Sequence, residues 1–353
     1  MLICDLYNVN FKFGGIFGPS NSRHMKNEAN HVMKELKVTE NEGNQRVDKY
    51  LQKYFNTAPK SLIYKLIRKK KVKLNGKRIE GNEILCEGNT LQIYLSDDTM
   101  DSFKEAKVLN ERADGVDIIY EDKNVLVCNK PVGVLSHPKN ARDKNTLIDQ
   151  ILLYLYKNGE FDIGKDTTFT PAICNRLDRN TSGVVICGKN LPSVQSLNKI
   201  FAERKVDKFY YTIVKGEIKK GGLLEGYHLK DKSQNQVVIY KEERPDTTKI
   251  LTEYIPVKSS KKFTLLEIKL ITGKSHQIRA HLKFMGNPIV GDPKYGDLKI
   301  NAFVRSKIGL ENQLLHAERL VITEKIGNLA YICGKEFIAN RNQSFEKSIK
   351  FLL

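Results

Sequence analysis

Tryptophan is absent from the 353 residues and cysteine occurs only six times. Cys4, Cys86, Cys128, Cys174, Cys187 and Cys333 are scattered, with no C-x-x-C pair and no Cys/His group at zinc-ligand spacing. That distribution predicts reduced thiols, a cytoplasmic setting and no structural metal. No apolar run approaches the roughly 18 residues that a spanning helix needs, and residues 1–24 lack a basic stretch followed by an apolar core. Neither a membrane span nor a secretory signal is therefore expected. Acid is also scarce: Lys and Arg outnumber Asp and Glu by 59 to 41, for a formal net charge of +18. With the membrane set aside, nucleic acid is the polyanion such a charge suits.

What is present is enough for a folded protein. A chain of this length with 40% hydrophobic residues can bury a sizeable core and has room for about two domains. Residues 1–43 are expected to be a disordered extension; Met1 to His24 show no periodicity, and Met25 is a second candidate start. Between residues 44 and 95 the pattern sharpens. Val47, Tyr50, Leu51 and Tyr54 space the apolar stripe of one helix, and Leu62, Ile63, Leu66 and Ile67 that of a second, with Ser61 as its expected N-cap. Val72-Lys73-Leu74 then enters an Asn75-Gly76 turn, the strongest short hairpin signal, and Glu87-Gly88-Asn89 leads into the alternating Thr90 to Leu95.

Two helices followed by a small sheet, with a basic edge, resemble the S4 RNA-binding domain. The likeness is carried by Arg46-Val47-Asp48, by Leu66 to Lys77 and by Glu87-Gly88-Asn89. One departure is Lys69 to Lys71, where the family has a glycine in the turn. The resemblance implies RNA contacts from Arg46, Lys60, Lys65, Arg68, Lys69, Lys70, Lys73 and Lys77. Residues 96–113 are polar and are expected to be a linker. From 114 to 353, strands alternate with shorter helical stretches. Alternation such as Phe263 to Ile271 favours a mixed, mostly antiparallel sheet, hence an α+β domain.

The chemistry points to two segments. In Asn175-Arg176-Leu177-Asp178-Arg179-Asn180-Thr181-Ser182-Gly183 one carboxylate stands between two guanidinium groups, ahead of an apolar strand. Neighbouring cations favour its charged form, which suits a nucleophile or charge stabiliser and disfavours a general acid; a surface salt-bridge cluster has the same pattern. In Thr272-Gly273-Lys274-Ser275-His276-Gln277-Ile278-Arg279, Ser275 can cap a helix that places Arg279 beside the sheet-packing face, within reach of a carboxylate on a neighbouring loop. The Gly/Pro-dense run from Gly286 to Gly296 reads as a rigid pair of turns.

Together with Val127 to Gly133, Lys208 to Gly216 and Leu315-His316-Ala317, these segments resemble an RluA-type pseudouridine synthase, most like its RluC branch. The likeness covers about residues 44 to 322. It implies that Asp178 is the catalytic aspartate, Tyr210 the ring against the target base and Arg279 the ion-pair partner of Asp178. It further implies that Arg176 and Arg179 meet RNA, and that the substrate is large-subunit ribosomal RNA. Asn175 departs from the family, which has His there. No metal, nucleotide or redox cofactor, no membrane and no obligate protein partner is expected, and the chain is expected to act as a monomer. Two alternatives stay open at this point: an RNA-binding assembly factor without catalysis, and the same chemistry on transfer or messenger RNA.

Overall fold

A computed structural model describes residues 33–104, 113, 115–140, 142–162, 168–231 and 236–353. The N-terminal unit contains β1 (Met33–Lys37), α1 (Val47–Tyr54), α2 (Lys60–Arg68), β2 (Val72–Leu74), β3 (Lys77–Arg78), β4 (Thr90–Tyr94) and α3 (Asp97–Asp101). Its sheet has the order β1-β4-β2-β3, antiparallel throughout. Leu74 pairs with Lys77 across a two-residue turn in which Asn75 and Gly76 both have positive φ, the geometry the Asn-Gly pair favours. Ile63, Leu66 and Ile67 face the core while Lys60, Lys65 and Arg68 stay exposed, so burial of one stripe leaves the opposite face of α2 basic.

Three expectations for this region change. Residues 33–37, placed in a disordered extension, form β1 and pair with β4 from Met33↔Tyr94 to Lys37↔Thr90, adding an edge strand to the sheet. Part of the expected linker folds as α3 and buries Met100 completely in the same core; residues 105–112 and the stretch before Met33 lie outside the described residues. The N-cap of α2 is Pro59 rather than Ser61. At the end of α2, Lys70 takes a left-handed φ of 59°, with its N–H on Ile67 O and the Lys71 N–H on Leu66 O. That is the helix-ending turn in which glycine is the usual residue.

The second unit runs β5 (Ile118–Glu121), β6 (Val125–Lys130), α4 (Leu147–Lys157), β7 (Ala172–Ile173), β8 (Ser182–Gly188), α5 (Leu191–Ala202), β9 (Val206–Lys215), β10 (Gly222–Asp231), β11 (Gln236–Tyr240) and β12 (Thr248–Ser259). It continues with β13 (Phe263–Leu270), α6 (Gln277–Phe284), α7 (Leu298–Ile308), β14 (Leu315–Ile322), β15 (Glu336–Ile338) and α8 (Gln343–Leu352). One mixed sheet has the order β11-β10-β12-β13-β9-β14-β8-β6-β5, with β15 on β14 and β7 on β8. Only β14 and β8 pair in parallel among the described residues.

Strand β8 is apolar on both faces because both are covered. Val185 and Cys187 join the core beneath α4, with Leu147, Ile151 and Leu155, whereas Val184 and Ile186 join the core beneath α5, with Leu197 and Ile200. The two units also touch. The buried Glu42 carboxylate accepts from the Thr168 N–H at 3.1 Å and its hydroxyl at 2.7 Å, and the Gln195 amide donates to Asn44 O at 3.2 Å.

The β8–β14 pairing starts at the site loop and tolerates no bulk. Gly183 has φ 118°, and a Cβ there would stand 2.1 Å from Ala317 O. Next to it the Ser182 hydroxyl bonds His316 Nδ1 at 2.8 Å, and His316 Nε2 meets Ala339 O at 2.9 Å, so the ring fastens β8 to the chain beyond β15. Gly183→Ala is expected to destabilise the second unit by on the order of 4 kcal/mol, combining backbone strain with a clash that only main-chain movement relieves. The urea midpoint, compared with Gly133→Ala, whose Cβ meets nothing within 4 Å, measures the clash apart from the positive-φ cost.

Candidate active site

Asp178 lies on the loop between β7 and β8, and the backbone on either side of it is anchored. Leu177 is buried in the core, its N–H bonded to Ser136 Oγ at 3.2 Å and its carbonyl accepting from the same hydroxyl at 3.0 Å. The carbonyl of Arg179 accepts from the Gly133 N–H at 3.0 Å and from Lys130 Nζ at 2.9 Å. Lys130 is fully buried and also donates to Pro131 O at 2.8 Å and Val134 O at 2.7 Å. Burial pushes its pKa down to about 7, against the pull of the Asp178 charge; the three carbonyls, each accepting one N–H, favour the ammonium form. Asn175 bridges to β8 by its side chain, donating to Val184 O at 3.0 Å and accepting from the Ile186 N–H at 2.9 Å. Its amide thus shapes the base of the loop.

The charge partner of Asp178 is neither arginine beside it in sequence. Arg176 and Arg179 are exposed, and the ion pair of Arg179 is with Asp143 at 3.9 Å. Arg279, from the first turn of α6, places Nη1 2.8 Å from Asp178 Oδ2. The other edge of the same guanidinium grips Asp292, Nε to Oδ2 at 2.7 Å and Nη2 to Oδ1 at 3.0 Å. Asp292 is completely buried, and its Oδ1 also accepts from the N–H groups of Lys294 and Tyr295. Burial would raise its pKa, but Arg279 and these amides outweigh it and hold the carboxyl below its usual range.

Each residue of His276-Gln277-Ile278-Arg279 has a separate task. The Gln277 amide pins the start of α6 to β12, donating to Leu251 O and Thr252 Oγ1, both at 3.0 Å. Ile278 enters the main core. His276, rather than Ser275, is the N-cap and has a left-handed φ of 53°. The Tyr295 hydroxyl accepts from the Val237 N–H at 2.9 Å and shares a hydrogen bond with His276 Nδ1, also 2.9 Å away. The other ring nitrogen, Nε2, faces Asp178 Oδ1 at 4.0 Å. Burial lowers the His276 pKa, against the pull of Asp178, which favours the neutral ring.

Tyr210, on β9, is largely buried and lines the same cleft, of about 860 Å³, as Asp178, Arg279 and His276. Burial, then the nearby Asp178 charge, raises its pKa, so its phenol keeps its proton near neutrality. The structure therefore brings Asp178, Tyr210 and Arg279 together. Asp178 offers one oxygen fixed by Arg279 and another facing the cleft. Asp292 and His276 complete the group. Asp292 does not stand out in the sequence, because Gly-Asp-Pro is ordinary turn composition; its only signal is a carboxylate within a rigid segment following Arg279. A second cavity, of about 700 Å³ between the two units, holds Asp122, already saturated by Tyr120, Tyr331 and two backbone amides.

Asp292→Asn is expected to impair Asp178 without touching it. The amide leaves Arg279 with one carboxylate and lost bidentate pairing, a change on the order of 3 to 5 kcal/mol if the full buried pair is broken. The expected outcome is a lower thermal midpoint and a rate loss of at least about tenfold, which single-turnover kinetics on the folded fraction measures.

The chain matches the family model for RNA pseudouridylate synthase over residues 124–284 and that for the S4 domain over residues 45–91. It is 34% identical over 291 residues to the ribosomal large subunit pseudouridine synthase C of Buchnera aphidicola subsp. Baizongia pistaciae, covering 81% of this chain and 88% of that protein. To the ribosomal large subunit pseudouridine synthase D of Borreliella burgdorferi it is 32% identical, over 75% of this chain and 79% of that protein. The solved structure of Human RNA Pseudouridylate Synthase Domain Containing 4 shares the fold, with TM-score 0.52 at 24% identity, covering 67% of this chain and 92% of that one. A fold, a cleft and relatives of this identity agree: the chain belongs to the RNA pseudouridylate synthase family, RNA isomerases, and carries an S4 domain before its catalytic unit.

Proposed function

We propose that this protein isomerises uridine to pseudouridine in large-subunit ribosomal RNA, with Asp178 as the reacting carboxylate. The observation that carries the reading is the Asp178–Arg279–Asp292 array, which holds one carboxylate oxygen and turns the other towards an aromatic-walled cleft. A base inside an RNA stack cannot be reached, so the uridine is extruded and held against Tyr210. The N1–C1′ bond then breaks, the uracil turns, C5 bonds to C1′, and the proton lost from C5 is balanced by one gained at N1. Nothing is oxidised and no water is consumed, so the chemistry calls for no cofactor.

Substrate choice rests on two supports. The relatives named synthase C and synthase D both carry the large ribosomal subunit in their names. The S4 unit presents Lys60, Lys65, Arg68, Lys69, Lys70 and Lys77 exposed, with Lys73 half-buried over the Tyr94 ring. Lys70 holds a strained backbone where glycine would be easier, which fits a residue kept for its charge. Arg46 is engaged by Asp48 at 3.0 Å, so its RNA contact would compete with an ion pair. Arg176 and Arg179 on the catalytic loop reach the RNA beside the extruded base. The protein acts as a monomer in the cytoplasm.

Pseudouridine mapping of ribosomal and transfer RNA from cells lacking the gene tests this reading. The expected result is loss of one or a few pseudouridines in large-subunit ribosomal RNA, restored by the wild-type gene. Loss confined to transfer RNA would move the substrate, and no loss in any RNA would remove the assignment.

A further inference from the structure

A second set of cations faces the cleft and takes no part in the aspartate array. Lys208 lies two residues before Tyr210 on β9, so the two side chains share a face of the strand, and both line the cleft. Lys208 is partly buried, yet no carboxylate among the described residues forms an ion pair with it. Its neighbour Asp207 is held by Lys269 at 3.0 Å. Burial and then the like charge of Arg204 lower its pKa, against a smaller opposing pull from the Asp207 carboxylate.

Arg204 is itself strained. It follows α5 with φ 59°, and the Arg204 and Lys205 N–H groups return to Phe201 O and Ile200 O, closing a helix-ending turn that glycine usually occupies. A Schellman turn carrying a cation at its left-handed position therefore occurs twice here, at Lys70 in the S4 unit and at Arg204 on the cleft rim. From the other side comes the loop before α6: a Cβ on Gly273 would lie 3.5 Å from Lys208 Nζ, and Lys274 beside it is exposed on the rim. These three cations, one of them partly buried and none in an ion pair with a carboxylate among the described residues, repel one another across the cleft. An anion placed among them removes that repulsion.

We propose that Arg204, Lys208 and Lys274 form a phosphate subsite that holds a backbone phosphate of the RNA strand next to the extruded uridine, separate from the Arg176 and Arg179 contacts. The inference rests on the cleft being the uridine site. Lys208 enters through the same strand face that presents Tyr210, so the subsite fixes the distance between a phosphate and the base-stacking ring. Its three residues are positioning residues for the RNA, not participants in bond exchange.

The test uses the full chain and a transcribed ribosomal stem-loop containing the target uridine, with Lys208→Met, Arg204→Gln and Lys208→Arg. For each lost phosphate contact, the slope of log affinity against log salt is expected to fall by about 0.7 to 0.9, and affinity at 0.15 M salt by about fivefold. The loss should appear in KM rather than kcat, and Lys208→Arg should restore most of it. Replacing each phosphate flanking the uridine in turn with a neutral methylphosphonate should identify one linkage at which wild type is weakened and Lys208→Met is not. Thermal melting of Lys208→Met should give an equal or higher midpoint, because a partly buried charge without an ion-pair partner has been removed.

An unchanged salt slope, or equal sensitivity of both proteins to every methylphosphonate, overturns the subsite. So does a fall in melting midpoint without a change in affinity, the signature of a purely structural lysine. These outcomes are separate from failure of the proposed function, which would appear as no pseudouridine formed by the wild-type protein on the same RNA.

Discussion

Arg279 is nearly buried between two carboxylates, and the geometry of the catalytic face follows from how each is held. Asp292 is sealed from solvent and fixed by two backbone amides, so it orients the guanidinium without moving. Asp178 is partly open to the cleft and receives a single N–H from it, at 2.8 Å. One anion sets the position of the cation, and the cation sets the position of the second anion. A buried guanidinium with one partner removed is costly, which makes the array sensitive to loss of any member. Its three residues come from a loop between two strands, the start of α6 and a turn preceding α7. The folded sheet, with Gly183 allowing β8 and β14 to close together, is what brings them within hydrogen-bond distance.

Much of this was legible in the sequence because the informative residues act locally or through periodicity. The Asn75-Gly76 hairpin is dictated by φ requirements within two residues, and the buried stripes of α1 and α2 by spacing alone. Asp178, Tyr210 and Arg279 were found through motif resemblance, and the structure brings them to one cleft. The misses share a cause: each depends on a distant partner. Strand β1, Met33–Lys37, is short and has no polar/apolar alternation, so only its pairing with β4 makes it a strand. Helix α3 carries a single apolar anchor, Met100, too little for a periodic signal. Asp292 looks like turn composition until Arg279 lies across it. The two arginines adjacent to Asp178 read as the cations that favour its charged form; in the fold both side chains are exposed, and the one that ion-pairs does so with Asp143.

The charge distribution divides the work in the same way. The formal excess of +18 draws RNA over long range, but the catalytic centre itself is not a cationic trap. Arg279 is balanced by two aspartates and His276 is kept neutral by burial, so the positive field comes from the S4 face and the cleft rim. Affinity and chemistry can thus be varied separately, which is useful for an enzyme that must grip a large folded RNA yet reach a single base.

The central claim is that Asp178 carries the chemistry and is not one more member of a structural ion-pair network. Asp178→Asn keeps the shape of the side chain while removing its charge and nucleophilicity, and it leaves Arg279 still paired with Asp292. The deciding measurement is pseudouridine formation on transcribed large-subunit ribosomal RNA fragments by the full-length variant, with thermal melting of both proteins alongside. The account predicts a folded protein that binds RNA as well as wild type or slightly better and forms no pseudouridine; appreciable turnover by well-folded Asp178→Asn would contradict it.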